Sequence, residues 1–129
     1  MQRFIKKIKV QTEDLDELNH VNNVRFVQWI QDVAKSHWES KVTPEIEANY
    51  FWVVLNHNIT YKNSAFLNDV IRIETYVTES EGFKSKRIVE MYLQDSNKLL
   101  VSSETLWCFM DKVTKKPTRI TPDVKALFS

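Results

Sequence analysis

Two hydrophobic periods divide this chain. Between Asn22 and Ser40 there is no proline or glycine, and apolar residues recur at helical spacing. Val27, Ile30, Ala34 and Trp38 form one stripe; Phe26, Trp29, Ile30 and Val33 form an overlapping one. So wide an apolar sector predicts a helix buried on most sides. Asn22 or Asn23 supplies its N-cap. Thr43-Pro44-Glu45 then predicts a short helical turn with proline at its first position. Beyond it the helical period gives way to alternation. Phe51, Val53, Leu55, His57, Ile59 and Tyr61 share one face of a strand. Ile71, Ile73, Thr75 and Val77 share one face of the next. Phe83, Val89, Met91 and Leu93 do so in a third, and Leu99, Val101, Thr105, Trp107 and Phe109 in a fourth. Glu79–Gly82 and Asp95–Lys98 have the composition of hairpin turns. Phe4, Ile8 and Val10 mark a short strand before the helix, and a short helix after Thr121-Pro122 ends the chain. Hairpins imply antiparallel pairing, and alternation leaves one sheet face seeking cover. The economical arrangement is α+β: a curved antiparallel sheet wrapped around one long helix. Periodicity leaves other one-helix α+β layouts open.

Composition narrows the function. The 129 residues suit one domain spanning 1–129. Gly82 is the only glycine. No glycine-rich dinucleotide or phosphate loop and no G-x-S-x-G elbow can therefore be written. The net charge of +1 carries no signature of a nucleic-acid partner. The lone Cys108 excludes an internal disulfide and fits a reduced, cytoplasmic compartment. No apolar run is long enough for a membrane span or a signal peptide.

The richest local signal runs from Asp14 to Phe26: carboxylates, a histidine and amides at the mouth of the helix. Asp14-Leu15-Asp16-Glu17-Leu18-Asn19-His20-Val21-Asn22-Asn23 resembles the D-x-D-x-x-G-H-V-N-N pattern of the hotdog-fold acyl-CoA thioesterases, the 4-hydroxybenzoyl-CoA thioesterase-like family. Downstream, Asn58-Ile59-Thr60-Tyr61, Ser64-Ala65 and Asn68-Asp69 follow that family's order, as do Asp111–Pro117 and Ile120–Pro122. The loop also resembles that of acyl-ACP thioesterases, but Leu18 stands where those carry asparagine. Asn19 replaces the glycine of the hotdog pattern. Asparagine tolerates positive φ best among the other residues, so the turn can survive.

The resemblance implies a hotdog fold, assembled as a homodimer or homotetramer with the site at a subunit interface. It implies an acyl-CoA or acyl-ACP substrate and no cofactor. The family's acidic residue falls on Asp16. His20, Val21, Asn22, Asn23 and Tyr61 then form the substrate site around it. A carboxylate can activate water or attack the thioester itself. Free N–H groups at the helix start can hold the oxyanion. A non-catalytic acyl-thioester-binding subunit is the reading from another class.

Bland readings cover most other polar residues. Asp14 reads as a turn former and His20 as an organiser of its loop. His37 and His57 read as structural, and no histidine pair has metal-ligand spacing with a suitable third ligand. Cys108, between Trp107 and Phe109, reads as a structural thiol. Lys84, Lys86 and Arg87 read as a solvated strand face, with contact to CoA phosphates as the sharper alternative.

Overall fold

The computed structural model describes residues 2–129. Five strands form one antiparallel sheet: β1 (Phe4–Lys9), β2 (Tyr50–Tyr61), β3 (Val70–Glu81), β4 (Lys84–Leu93) and β5 (Leu99–Asp111). Their order across the sheet is β1-β3-β4-β5-β2. The long helix α1 (Asn23–Lys41) leads into α2 (Pro44–Asn49), and α3 (Pro122–Leu127) closes the chain.

The caps explain the helix boundaries. The Asn22 side chain accepts from Val24 N, so Asn22 is the N-cap of α1. Val42 and Thr43 are both extended, Thr43 because Pro44 disfavours the helical region in the residue just ahead of itself. Thr43 then caps α2 by accepting from Ile46 N, with Pro44 at its first position.

Sheet and helix meet in one core. Phe26, Ile30 and Val33 of α1 pack with Ile71, Ile73, Val89, Met91 and Val101 from β3, β4 and β5. Phe4 and Ile8 of β1 and Ile59 of β2 join them, so every strand touches this cluster. A second cluster joins Phe109, Ile120 and Val124 to Trp38, Tyr50 and Trp52. Each large side chain so buried contributes about 1.5–3 kcal/mol relative to exposure.

Three expectations need correction. First, α1 is not covered on most sides within this chain. Phe26, Ile30, Val33, Ala34 and His37 face the sheet, while Val24, Gln28, Gln31, Lys35 and Glu39 lie exposed on the opposite face. Second, the alternation along β2 breaks at a bulge. Val54 pairs with Trp107 and Asn56 with Leu106, leaving Leu55 as an extra residue. The bulge shifts the phase of a period-two pattern. Trp52 therefore joins the core before it, and His57 and Ile59 turn inward after it, while Leu55 is 48% exposed. Third, Arg87 is not solvated. β4 directs Ser85, Arg87, Val89 and Met91 inward. Lys86 points outward to Glu104 at 3.2 Å, and Phe83 is exposed beside Gly82.

Among the described residues positive φ occurs at five places, and only one is glycine. Gly82 (φ +62) turns β3 into β4 with open space around its missing side chain. Asn19, Asn68, Asn97 and Lys115 take the other four.

Candidate active site

The loop ahead of α1 is built from its own polar groups. Thr12–Asp14 forms a 3-10 turn. Asp14 is buried; one carboxylate oxygen accepts from Gln11 N at 2.8 Å. The other lies 3.0 Å from Arg25 Nε, which ties the turn to the first turn of α1. Asp14 is thus a structural anchor, as its turn-former reading expects.

From there the chain makes a small hairpin. Leu15 and Val21 form an antiparallel bridge, with Asp16 N donating to His20 O at 2.7 Å. Val21 N donates to Ala65 O at 2.9 Å, which fastens the hairpin to the loop after β2. Asn19 sits at the tip with φ 63, and its N–H donates to Asp16 O at 3.0 Å. The turn expected of a glycine survives on asparagine.

Asp16 is oriented by this hairpin. Its Oδ1 accepts from Leu18 N at 2.9 Å and from His20 N at 3.2 Å. Among the described residues its Oδ2 has no hydrogen-bond partner, so one oxygen is fixed and the other is available. The His20 ring meets Phe66 edge-on at 5.2 Å.

The helix start offers fewer donors than expected. Val24 N is taken by the Asn22 side chain, and Arg25 N and Phe26 N donate to Asn22 O. Among the described residues, Asn23 N–H alone of the first helical donors stays open, flanked by the Asn22 and Asn23 side chains. An oxyanion site here uses one backbone donor rather than several.

Asp16, His20, Val21, Asn22, Asn23 and Tyr61 all line one cleft of about 410 Å³. Phe26 also lines it, with its ring 6.2 Å from that of Tyr61. Lys62, Asn63 and Ser64 complete the wall; of these only Ser64 figures in the family resemblance, and none was expected at the site. Their signal was position: they follow Tyr61 directly in the matched stretch. Both Lys62 N and Asn63 N donate to Leu100 O, and Asn63 Nδ2 donates to Leu99 O, so β5 holds this wall in place.

Other polar residues stand apart from the cleft. His57 Nδ1 bonds Thr105 Oγ1 at 2.8 Å, and burial pushes its pKa down. Cys108 is buried, and burial raises its pKa. Asp32 accepts from Gln28 and faces a neighbouring groove. Trp52 lies in the second core cluster, away from the cleft. Among the described residues no helix is long and apolar enough to cross a membrane.

Relatives share this framework. The long-chain acyl-CoA thioesterase FadM of Escherichia coli is 22% identical over 121 residues, covering 92% of each chain. The solved structure of YbaW from Escherichia coli superposes with a TM-score of 0.87 at 22% identity, covering 95% of this chain and 94% of that one. Slr0204, a 1,4-dihydroxy-2-naphthoyl-CoA thioesterase from Synechocystis, gives 0.85 at 15% identity, covering 98% of this chain and 95% of its own. The curved antiparallel sheet around α1 is the hotdog fold. The family pattern of the thioesterase-like superfamily matches residues 10–128, from the end of β1 through α3. With that match spanning the loop, the helix and all of the sheet beyond β1, the chain belongs to the thioesterase-like superfamily.

Proposed function

We propose that this protein hydrolyses acyl-CoA thioesters, with Asp16 acting on the thioester carbonyl and Asn23 N–H receiving the oxyanion. The observation that carries this is the Asp16 carboxylate, held through Oδ1 by two backbone N–H groups in a cleft that the start of α1 also lines. As general base, Asp16 takes a proton from water while the water oxygen bonds to the carbonyl carbon. The negative charge moves to the carbonyl oxygen, then returns as the C–S bond breaks and the thiol leaves with a proton. As nucleophile, Asp16 displaces the thiol to form a mixed anhydride, which water then opens. The name of FadM supports a CoA carrier, as does the structure of the Staphylococcus aureus protein SAV2348, which was determined with CoA and superposes at 0.86.

One observation favours a second carrier. A 12:0-ACP thioesterase from Umbellularia californica superposes at 0.85, although this chain covers 51% of it. Leu18, where that class carries asparagine, weighs against it. Thiol release from acyl-CoAs with short, long and aromatic acyl groups, set beside matched acyl-ACPs, separates the readings. The expected result is turnover of at least one acyl-CoA faster than its ACP counterpart. Faster ACP turnover reverses the carrier; binding of acyl-CoA with no turnover of any thioester makes the protein a binding subunit.

The working unit is a homodimer or a tetramer of such dimers. β2 is an edge strand of 12 residues, and among the described residues nothing pairs along its outer side. Long bare edges are normally paired or covered. Tyr61, the last residue of β2, and the three residues after it line the cleft, so a second copy along β2 stands beside the site. Sedimentation at micromolar concentration should show a dimer or larger species; a monomer alone would remove the interface from this reading.

A further inference from the structure

A second cavity, of about 60 Å³, lies under the other end of α1. The cleft uses residues 22–26 of that region; this cavity is lined by Ala34, Lys35 and Trp38, with Trp52, Arg87 and Trp107 on the sheet side. Arg87 is the anomaly. It is 6% exposed. Its Nη1 donates to His37 Nδ1 at 2.9 Å and to Thr75 Oγ1 at 3.0 Å, and its guanidinium stands 5.5 Å from the Phe128 ring centre. Both acceptors are neutral: burial and the nearby cations push the His37 pKa down to about 4. Among the described residues no carboxylate comes within ion-pair distance of Arg87. Burial lowers its own pKa to about 10, so it stays charged at neutral pH. Buried cations are ordinarily paired, because an unpaired one loses its hydration without compensation.

One donor is orphaned beside it. Trp107 Nε1–H is buried and has no partner among the described residues. Arg87 opposes Thr105 and Trp107 opposes Ser85, so the two are diagonal neighbours on the inner face of β4 and β5. Diagonal neighbours lie within reach of one another's long side chains. Lys35 stands at the rim, exposed and paired with Glu39 at 3.9 Å. One unmet donor beside a buried guanidinium that faces no carboxylate, in one apolar cavity, calls for an anion.

Size and lining select which anion. One water needs about 10–15 Å³ on this measure, so the cavity holds a carboxylate and little more. It shares Lys35, Trp38, Trp52 and Trp107 with an outer groove of about 420 Å³, which can take a larger body. Indole faces suit a flat apolar body, and guanidinium matches the planar carboxylate. On the outer groove Asp32 and Glu47 are balanced by Lys35 and Lys112, so its charges add no net pull on an anion, and its aromatic wall is what remains for the body of the ligand. We propose that this cavity binds a monocarboxylate with a flat apolar body, its carboxylate on Arg87 and Trp107 Nε1–H and its body against the tryptophans.

The test is a titration of ¹⁵N-labelled protein with benzoate, followed at the Trp107 indole N–H and by calorimetry. The expected result is saturable binding with a shift of that resonance. Benzamide, which has the same shape without the charge, and sodium chloride at matched ionic strength should leave it unmoved. Arg87→Gln should weaken benzoate at least tenfold. Trp107→Phe keeps a ring but removes the donor; it should weaken binding several-fold and serves if Arg87→Gln does not fold. No saturable benzoate binding, an equal response to benzamide or chloride, or unchanged affinity in a folded variant overturns the proposal. No thioester turnover enters the experiment, so it stands or falls apart from the reading of the cleft.

Discussion

Asp16→Asn should lower kcat for thiol release from the best acyl-CoA by about 10²–10⁴-fold, the range expected for loss of a positioned general base. The variant is isosteric, and its amide oxygen can still accept from Leu18 N and His20 N as Asp16 Oδ1 does. The hairpin and the Asn19 turn therefore have no reason to rearrange. What is lost is the second oxygen, the one that the hairpin leaves available. KM should move by only a few-fold, because the walls of the cleft at Phe26 and Tyr61–Ser64 are untouched. The measurement is steady-state thiol release by both proteins, with circular dichroism to confirm the fold. Wild-type turnover by a folded Asp16→Asn protein would remove Asp16 from the chemistry. Single turnover in ¹⁸O-water then tests the nucleophilic role: label entering the Asp16 carboxylate marks an anhydride opened at the Asp16 carbonyl, whereas a general base, like an anhydride opened at the acyl carbonyl, leaves the label in the product acid alone.

Much of the fold was legible because its periods are strong. The helix boundaries followed from Asn22 and Pro44, whose capping and steric effects are local. The strands followed from alternation, and the break at Leu55 did not. A bulge leaves no mark in composition when the extra residue is itself apolar. Val54 and Leu55 are both apolar, so either phase reads equally well. Arg87 was illegible for a related reason. Beside Lys84 and Lys86 it looks like part of a charged surface, and only the register of β4 shows that odd positions turn inward.

The candidate site was legible at its motif and opaque at its edges. Asp16, His20, Asn22 and Asn23 are contiguous, so a local pattern carries them. Lys62, Asn63 and Ser64 come to the cleft through the pairing of β2 with β5, which no local pattern reports. The number of helix donors also depended on geometry. The sequence pattern offers the whole first turn, whereas the Asn22 cap takes Val24 N and leaves Asn23 N–H. The lone glycine acquires a clearer meaning as well. Three asparagines and one lysine carry the positive-φ turns elsewhere, and one of them, Asn19, holds the loop that orients Asp16.

The second large effect concerns stability. His37 is 1% exposed, stacked on Phe4 at 5.1 Å and edge-on to Phe128 at 4.8 Å. Arg87 Nη1 can only donate, so His37 Nδ1 accepts, and the ring proton sits on Nε2. Burial first, then Arg87 and Lys41, push its pKa down from 6.5 to about 4. The unfolded chain therefore binds a proton below 6.5 that the folded chain refuses until about 4. Folding stability from this group is fully present above 6.5 and is lost as the pH falls toward 4. At 1.36 kcal/mol per pKa unit, the loss approaches roughly 3 kcal/mol. His57, also held low by burial, adds a smaller loss of the same sign. Denaturant titrations at fixed protein concentration, at pH 7, 5.5 and 4.5, measure the slope. His37→Gln keeps an acceptor for Arg87 and does not titrate. It should be less stable than wild type at pH 7 through lost ring packing, yet lose less stability on acidification. Parallel pH profiles for the two proteins would show that His37 binds its proton equally well in the folded and unfolded chain, and that the buried pair with Arg87 places no penalty on its charge.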